Sequence, residues 1–111
     1  MNYNVIPVDK FKKAAKLLIR KYPSLKKELA DLNTSLLANP TQGTSLGNNT
    51  YKIRIAVKSK GTGKSGGARV ITYVVAENKD IYLLTIYDKA AFESIDDKTL
   101  KRIIRDLHDD Q

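Results

Sequence analysis

Six cations fall between Lys52 and Arg69: Lys52, Arg54, Lys58, Lys60, Lys64 and Arg69. No Asp or Glu occurs from Leu32 to Ala76 to neutralise them. Short runs of like charge are commonly solvated surface, but an acid-free run of this density describes a surface that takes up anions. Arg54 and Arg69 lie in β-leaning runs, where a guanidinium held by the backbone can grip phosphate oxygens through two parallel N–H bonds. Lys58, Lys60 and Lys64 lie in or beside Gly61-Thr62-Gly63-Lys64-Ser65-Gly66-Gly67. Its four glycines let the backbone approach a phosphate closely, and the lysines add point charges. Gly63-Lys64-Ser65 looks like the end of a nucleotide-binding P-loop. That motif needs a glycine where Lys58 stands and a helix after Ser65, and Gly66, Gly67 and a strand-like run follow instead.

Other chemistries are missing. The chain has no Cys, which removes disulfides, thiolate metal sites and cysteine nucleophiles together. Its single His, His108, stands in an acidic stretch far along the chain from the cations and is expected at the surface. No His, Asp or Glu cluster has metal-ligand spacing, and no Ser-His-Asp arrangement is readable. Neither metal nor cofactor is expected. The histidine pair and the metal site that phosphate chemistry commonly uses are both missing from the pattern. Tyr73 and Tyr82 lie in strand-like runs and are expected to pack. Tyr87, beside Lys89, has two open readings: packing, or stacking on a base.

The elements that must position these residues follow from periodicity. Tyr3 to Val8 is a short β-leaning start, with Pro7 marking an edge. Asp9 is placed to cap a helix from Lys10 to about Tyr22, whose apolar positions are Phe11, Ala14, Ala15 and Leu18. Pro23 ends it. Ser24 is placed to cap a second helix striped by Leu25, Leu29, Leu32 and Leu36, ending at Pro40, so the pair forms a hairpin whose lysines are a solvated face. Thr41 to Thr50 reads as a polar loop. Three strands are predicted over Tyr51–Val57, Arg69–Ala76 and Asp80–Tyr87, with a tight turn at Glu77–Lys79. In the first, Tyr51, Ile53, Ile55 and Val57 share one face and Lys52 and Arg54 the other. A last helix over Asp97–Leu107 presents Leu100, Ile103, Ile104 and Leu107. The order predicts an α+β fold, with an N-terminal strand and helix hairpin packed on an antiparallel sheet and a C-terminal helix.

At 111 residues the chain makes one domain, 1–111, with too small a core for a deep enclosed cavity. The net charge of +8 calls for a polyanionic partner. The first residues lack the basic and apolar regions of a secretory leader, and no apolar run spans a bilayer, so a cytoplasmic location away from membranes is expected.

Tyr51-Lys52-Ile53-Arg54-Ile55-Ala56-Val57-Lys58, the glycine loop, and Gly67-Ala68-Arg69-Val70-Ile71-Thr72-Tyr73 together resemble RelE/HigB-type toxins of bacterial type II toxin–antitoxin systems. Tyr82-Leu83-Leu84-Thr85-Ile86-Tyr87-Asp88-Lys89 is similar to the final strand and following basic residue of the HigB-like branch. The resemblance implies a RelE-like fold and a ribosome-dependent, metal-independent endoribonuclease that cuts messenger RNA in the ribosomal A site. The 2′-hydroxyl would attack the adjacent phosphate. It implies catalytic roles for Lys52, Arg54, Arg69 and Lys89; the loop lysines Lys58, Lys60 and Lys64, with Tyr87, are then expected to bind the RNA. It also implies a cognate antitoxin as partner and a toxin that is monomeric by itself. Some relatives carry a stacking tyrosine near the last helix. The matching stretch here, Ala90-Ala91-Phe92-Glu93-Ser94-Ile95, has none, leaving Phe92 or Tyr87 as substitutes. Two other functions fit such a chain: a ParE-like inhibitor of DNA gyrase, and a non-catalytic RNA-binding module.

Overall fold

The structure, a computed structural model, describes residues 2–61, 63, 66–90 and 96–109. Chain order is β1 (Asn4–Pro7), α1 (Asp9–Lys21), α2 (Leu25–Ala38), β2 (Thr44–Gly47), β3 (Thr50–Ile55), a 3-10 turn (Lys58–Lys60), β4 (Ala68–Val75), β5 (Asp80–Asp88) and α3 (Asp97–Asp109).

Phe11 and Ala15 of α1 and Leu25, Leu32 and Leu36 of α2 are buried, as their helical spacing requires. Both expected caps differ. Helix α1 starts one residue earlier, with extended Val8 at the cap position and Asp9 already in the first turn, where its carboxylate faces the positive end of the helix dipole. Ser24 makes no capping bond. Its hydroxyl donates to Glu28 at 3.1 Å and accepts the Ser59 N–H at 2.9 Å, while the Ser24 N–H is held by the Ser59 hydroxyl at 2.7 Å. Glu28 also accepts the Lys58 N–H at 2.8 Å. The start of α2 thus fastens the chain leaving β3. Helix α3 is preceded by Asp96, whose carboxylate accepts the Thr99 N–H at 2.7 Å in the manner of an N-cap.

The sheet order is β1-β5-β4-β3-β2. Two expectations are corrected here. The sheet is mixed, because β1 joins β5 in parallel while the other pairs are antiparallel. The polar segment after Pro40 is not all loop, since Thr44–Gly47 pairs with β3 as an edge strand. The β2–β3 hairpin turns through Asn48 and Asn49, both left-handed at φ 52° and 62°, as a two-residue turn of the twist-compatible kind requires. The Thr50 hydroxyl closes it with a 2.5 Å bond to the Gly47 carbonyl.

Alternation divides the sheet into two faces. Ile53, Ile55, Val70, Val74, Ile81, Leu83 and Ile86 pack with the α1–α2 hairpin. Ile71, Tyr82, Leu84 and Tyr87 pack on the other side with Leu100 and Ile103 of α3. In β5 the pattern slips by one residue. Ile71 pairs with Thr85 and Thr72 with Leu83, leaving Leu84 as a bulge that turns the end of β5 relative to its start.

Candidate nucleic-acid interface

Strand register collects the cations on the face that carries α3. Lys52 pairs with Ile71, which pairs with Thr85, and Arg54 pairs with Arg69, which pairs with Tyr87. One step further, the Lys89 N–H donates to the Gly67 carbonyl at 3.0 Å, so Lys89 lies opposite Gly67. Residues two apart share a face, so Lys52 and Arg54 share theirs with Arg69, and Lys89 stands beside it. Directly opposed residues lie about 5 Å apart at Cα, and diagonal neighbours about 7–8 Å. That spread suits several contacts to one phosphodiester.

The four differ in setting. Arg54 is exposed, while Lys52 and Lys89 are half-buried. Arg69 is 3% exposed, and its guanidinium donates to the Ala68 carbonyl at 3.1 Å. It is a built-in cation rather than a mobile surface charge. Like charges directly opposite one another repel.

Gly67 admits no substitute. A Cβ there would sit 1.9 Å from the Ile55 carbonyl oxygen, so only glycine lets β4 approach β3 this closely before Arg69.

The residues expected to bind RNA separate. Lys58 is exposed at the start of the 3-10 turn. Lys60 is committed elsewhere: its ammonium pairs with Asp88, donates to the Gly66 carbonyl at 2.6 Å, and lies 5.9 Å from the Tyr22 ring centre. Burial disfavours the charge on Asp88, but hydrogen bonds from Lys60, the Ala90 N–H and the Tyr22 hydroxyl, with the Lys60 charge, outweigh it and hold the carboxyl below its ordinary value. Lys64 lies outside the described residues, as does Phe92. Tyr87 is 8% exposed and packed under α3, so its ring is core and has no open face for a base. Tyr82 is buried and Tyr73 half-buried, their rings 6.3 Å apart, as packing residues.

His108 is exposed as expected, yet the fold brings it onto the sheet. Its Nε2 lies 3.1 Å from the Tyr73 hydroxyl, and the two rings meet edge to face. With Leu100 and Ile103 buried against the sheet, this contact shows which way α3 is turned. Helical spacing then places Lys101 and Arg105, both exposed, on the flank that looks toward β4 and β3. Sequence reading missed these two. Their positions seven and three residues before His108 were the available signal, but it acquires meaning only once His108 is seen against Tyr73. Among the described residues, no group of three or more His, Asp or Glu side chains could hold a metal ion, and no helix is long and apolar enough to cross a membrane.

No family model matches the chain. Among solved structures it is similar to an arginine-substituted variant of the E. coli toxin RelE in the free state, at 20% identity and a TM-score of 0.57, covering 84% of this chain and 90% of that one. The isolated E. coli RelE toxin is also found, at 15% identity and a TM-score of 0.47, covering 95% of this chain and 98% of that one. The first likeness shows that the chain has a RelE-like fold, an α+β arrangement of three helices and a five-stranded mixed sheet.

Proposed function

We propose that this protein is the toxin of a type II toxin–antitoxin pair and a ribosome-dependent endoribonuclease that cuts messenger RNA in the A site. The observation that carries this reading is the gathering of Lys52, Arg54, Arg69 and Lys89 at one end of one sheet face. In the proposed reaction the 2′-hydroxyl of a nucleotide gives up its proton and attacks the adjacent phosphorus. The 5′-oxygen of the next nucleotide leaves and takes up a proton, and a cyclic phosphate end remains. Arg69 and Lys89 would stabilise the extra negative charge on the five-coordinate phosphorus, where electrostatic help fixed in advance is most effective. Lys52 and Arg54 would lie nearer the attacking hydroxyl. Such a toxin would act in the cytoplasm and be held in check by an acidic or apolar segment of its antitoxin laid over the same face.

A flexible strand must be held in line for attack, and alignment of reacting groups is worth several kcal/mol of barrier. The ribosome, which holds a codon in a fixed conformation, would supply that alignment. Purified protein should therefore cut free messenger RNA slowly or not at all, and cut the same message rapidly when it is threaded through a ribosome. Primer extension on both substrates measures this. Equal rates on the two would show a self-sufficient site and remove the ribosome from the mechanism. No cutting of either would remove the nuclease.

A further inference from the structure

The Asp88 carboxylate, 8% exposed at the end of β5, joins four parts of the chain. Its Oδ1 accepts the Ala90 N–H at 2.9 Å, closing a turn whose middle residue is Lys89. The same oxygen holds the Lys60 ammonium, and Oδ2 accepts the Tyr22 hydroxyl at 2.9 Å. Lys60 donates in turn to the Gly66 carbonyl at 2.6 Å and reaches the Gly67 carbonyl at 3.5 Å. The Gly67 carbonyl accepts the Lys89 N–H. One acid thus closes a circuit from the α1–α2 corner, through the entrance of β4, to the exit of β5.

This carboxylate faces the helix hairpin and subtracts from the positive potential that would draw a phosphate. Any help it gives to phosphate chemistry is therefore geometric. The circuit fixes the backbone at Lys89 by a bond from Asp88 itself. Through Lys60 it fixes Gly66 and Gly67, which lead directly into Arg69.

We propose that Asp88 is a positioning residue, which through its turn and through Lys60 sets Lys89 and Arg69 in one phosphate-binding geometry without touching the substrate. This rests on the reading that Lys89 and Arg69 act on phosphate. Displacing either group by about 1 Å is enough to cost about a hundredfold in rate.

The test compares Asp88→Asn, Lys60→Met and the double variant in two measurements: cutting of ribosome-bound message, and amide hydrogen exchange. Asp88→Asn keeps an oxygen for the Ala90 N–H and loses the ionic hold on Lys60. We expect kcat to fall at least tenfold while KM for programmed ribosomes changes less than twofold. Lys60→Met should do the same, and the double variant should be no worse than Asp88→Asn alone, as for two groups acting as one. Exchange at Gly67 and Lys89 should accelerate, with that at Ile71 and Leu84 unchanged. A rise in KM at constant kcat, additive losses, or unaltered exchange at Gly67 and Lys89 would each overturn the proposal. If the wild-type protein cuts nothing, the nuclease reading fails on its own. The exchange data then still decide whether Asp88 fixes these two backbones.

Discussion

Arg54 and Arg69 oppose each other across two strands, but only one of them is surface. Arg54 is exposed, so Arg54→Ala should change stability by less than about 0.5 kcal/mol while abolishing cutting. Arg69, at 3% exposure with its guanidinium bonded to a carbonyl, should lose about 1–3 kcal/mol on truncation to Ala as well as activity. Thermal melts read beside cutting rates check both, and an Arg69→Ala protein as stable as wild type would show that its burial carries no weight. The residue types were legible in the sequence: alternation assigned Lys52 and Arg54 to one face, and the acid-free run marked the region. Burial was not. Nothing in the local pattern around Arg69 or Tyr87 says that α3, whose first residue lies nine positions beyond Asp88, packs over Tyr87. Sequence also could not assign Lys60 to Asp88, because that pairing depends on where the 3-10 turn meets the end of β5.

At the scale of elements, long periodic segments were readable and short irregular ones were not. Both hairpin helices, α3 and the three central strands fall close to their expected places because each carries an apolar stripe or alternation long enough to dominate. Strand β2 has four residues, three of them exposed, and its one hint was the Asn48-Asn49 pair. The parallel course of β1 was unreadable because direction is set by the partner strand. The bulge at Leu84 was hidden because every residue from Ile81 to Asp88 is buried, so no polar position marks the slip. These elements meet at Asp88, and that junction should be sensitive to acid. The folded carboxyl binds its proton at lower pH than the unfolded one. Its contribution to stability is therefore complete above the unfolded carboxylate pKa, about 4, and is lost as pH falls through the lower folded value. Urea melts should show Asp88→Asn less stable than wild type at pH 7, with the gap closing below pH 4. A gap that stays constant to pH 2 would mean that the charge of Asp88 contributes nothing to folding.

Over the whole molecule, the net charge of +8 is shared between two faces that the sheet keeps apart. Lys12, Lys13, Lys16 and Arg20 are exposed on α1, against the face covered by the helix hairpin. Lys52, Arg54, Arg69 and Lys89 gather on the face that α3 covers only in part. Sequence composition cannot distinguish these two sets, since both are simply lysine and arginine. Architecture can. The α1 cations lie along the outer face of a helix, exposed to solvent and off the strands. Those on the sheet are fixed by register at spacings of about 5–8 Å and can release bound counterions together when a phosphate chain arrives. Binding of a short single-stranded RNA should therefore weaken steeply with salt, and each sheet cation removed should flatten the log–log slope by about 0.7. Lys52→Ala and Arg54→Ala should each do so, while Lys16→Ala should lower affinity slightly and leave the slope as it was. A titration series from low to high salt on the three variants measures this directly. If Lys16→Ala flattens the slope as much as Arg54→Ala, RNA lies along the helices instead, and the sheet loses its claim to be the binding face.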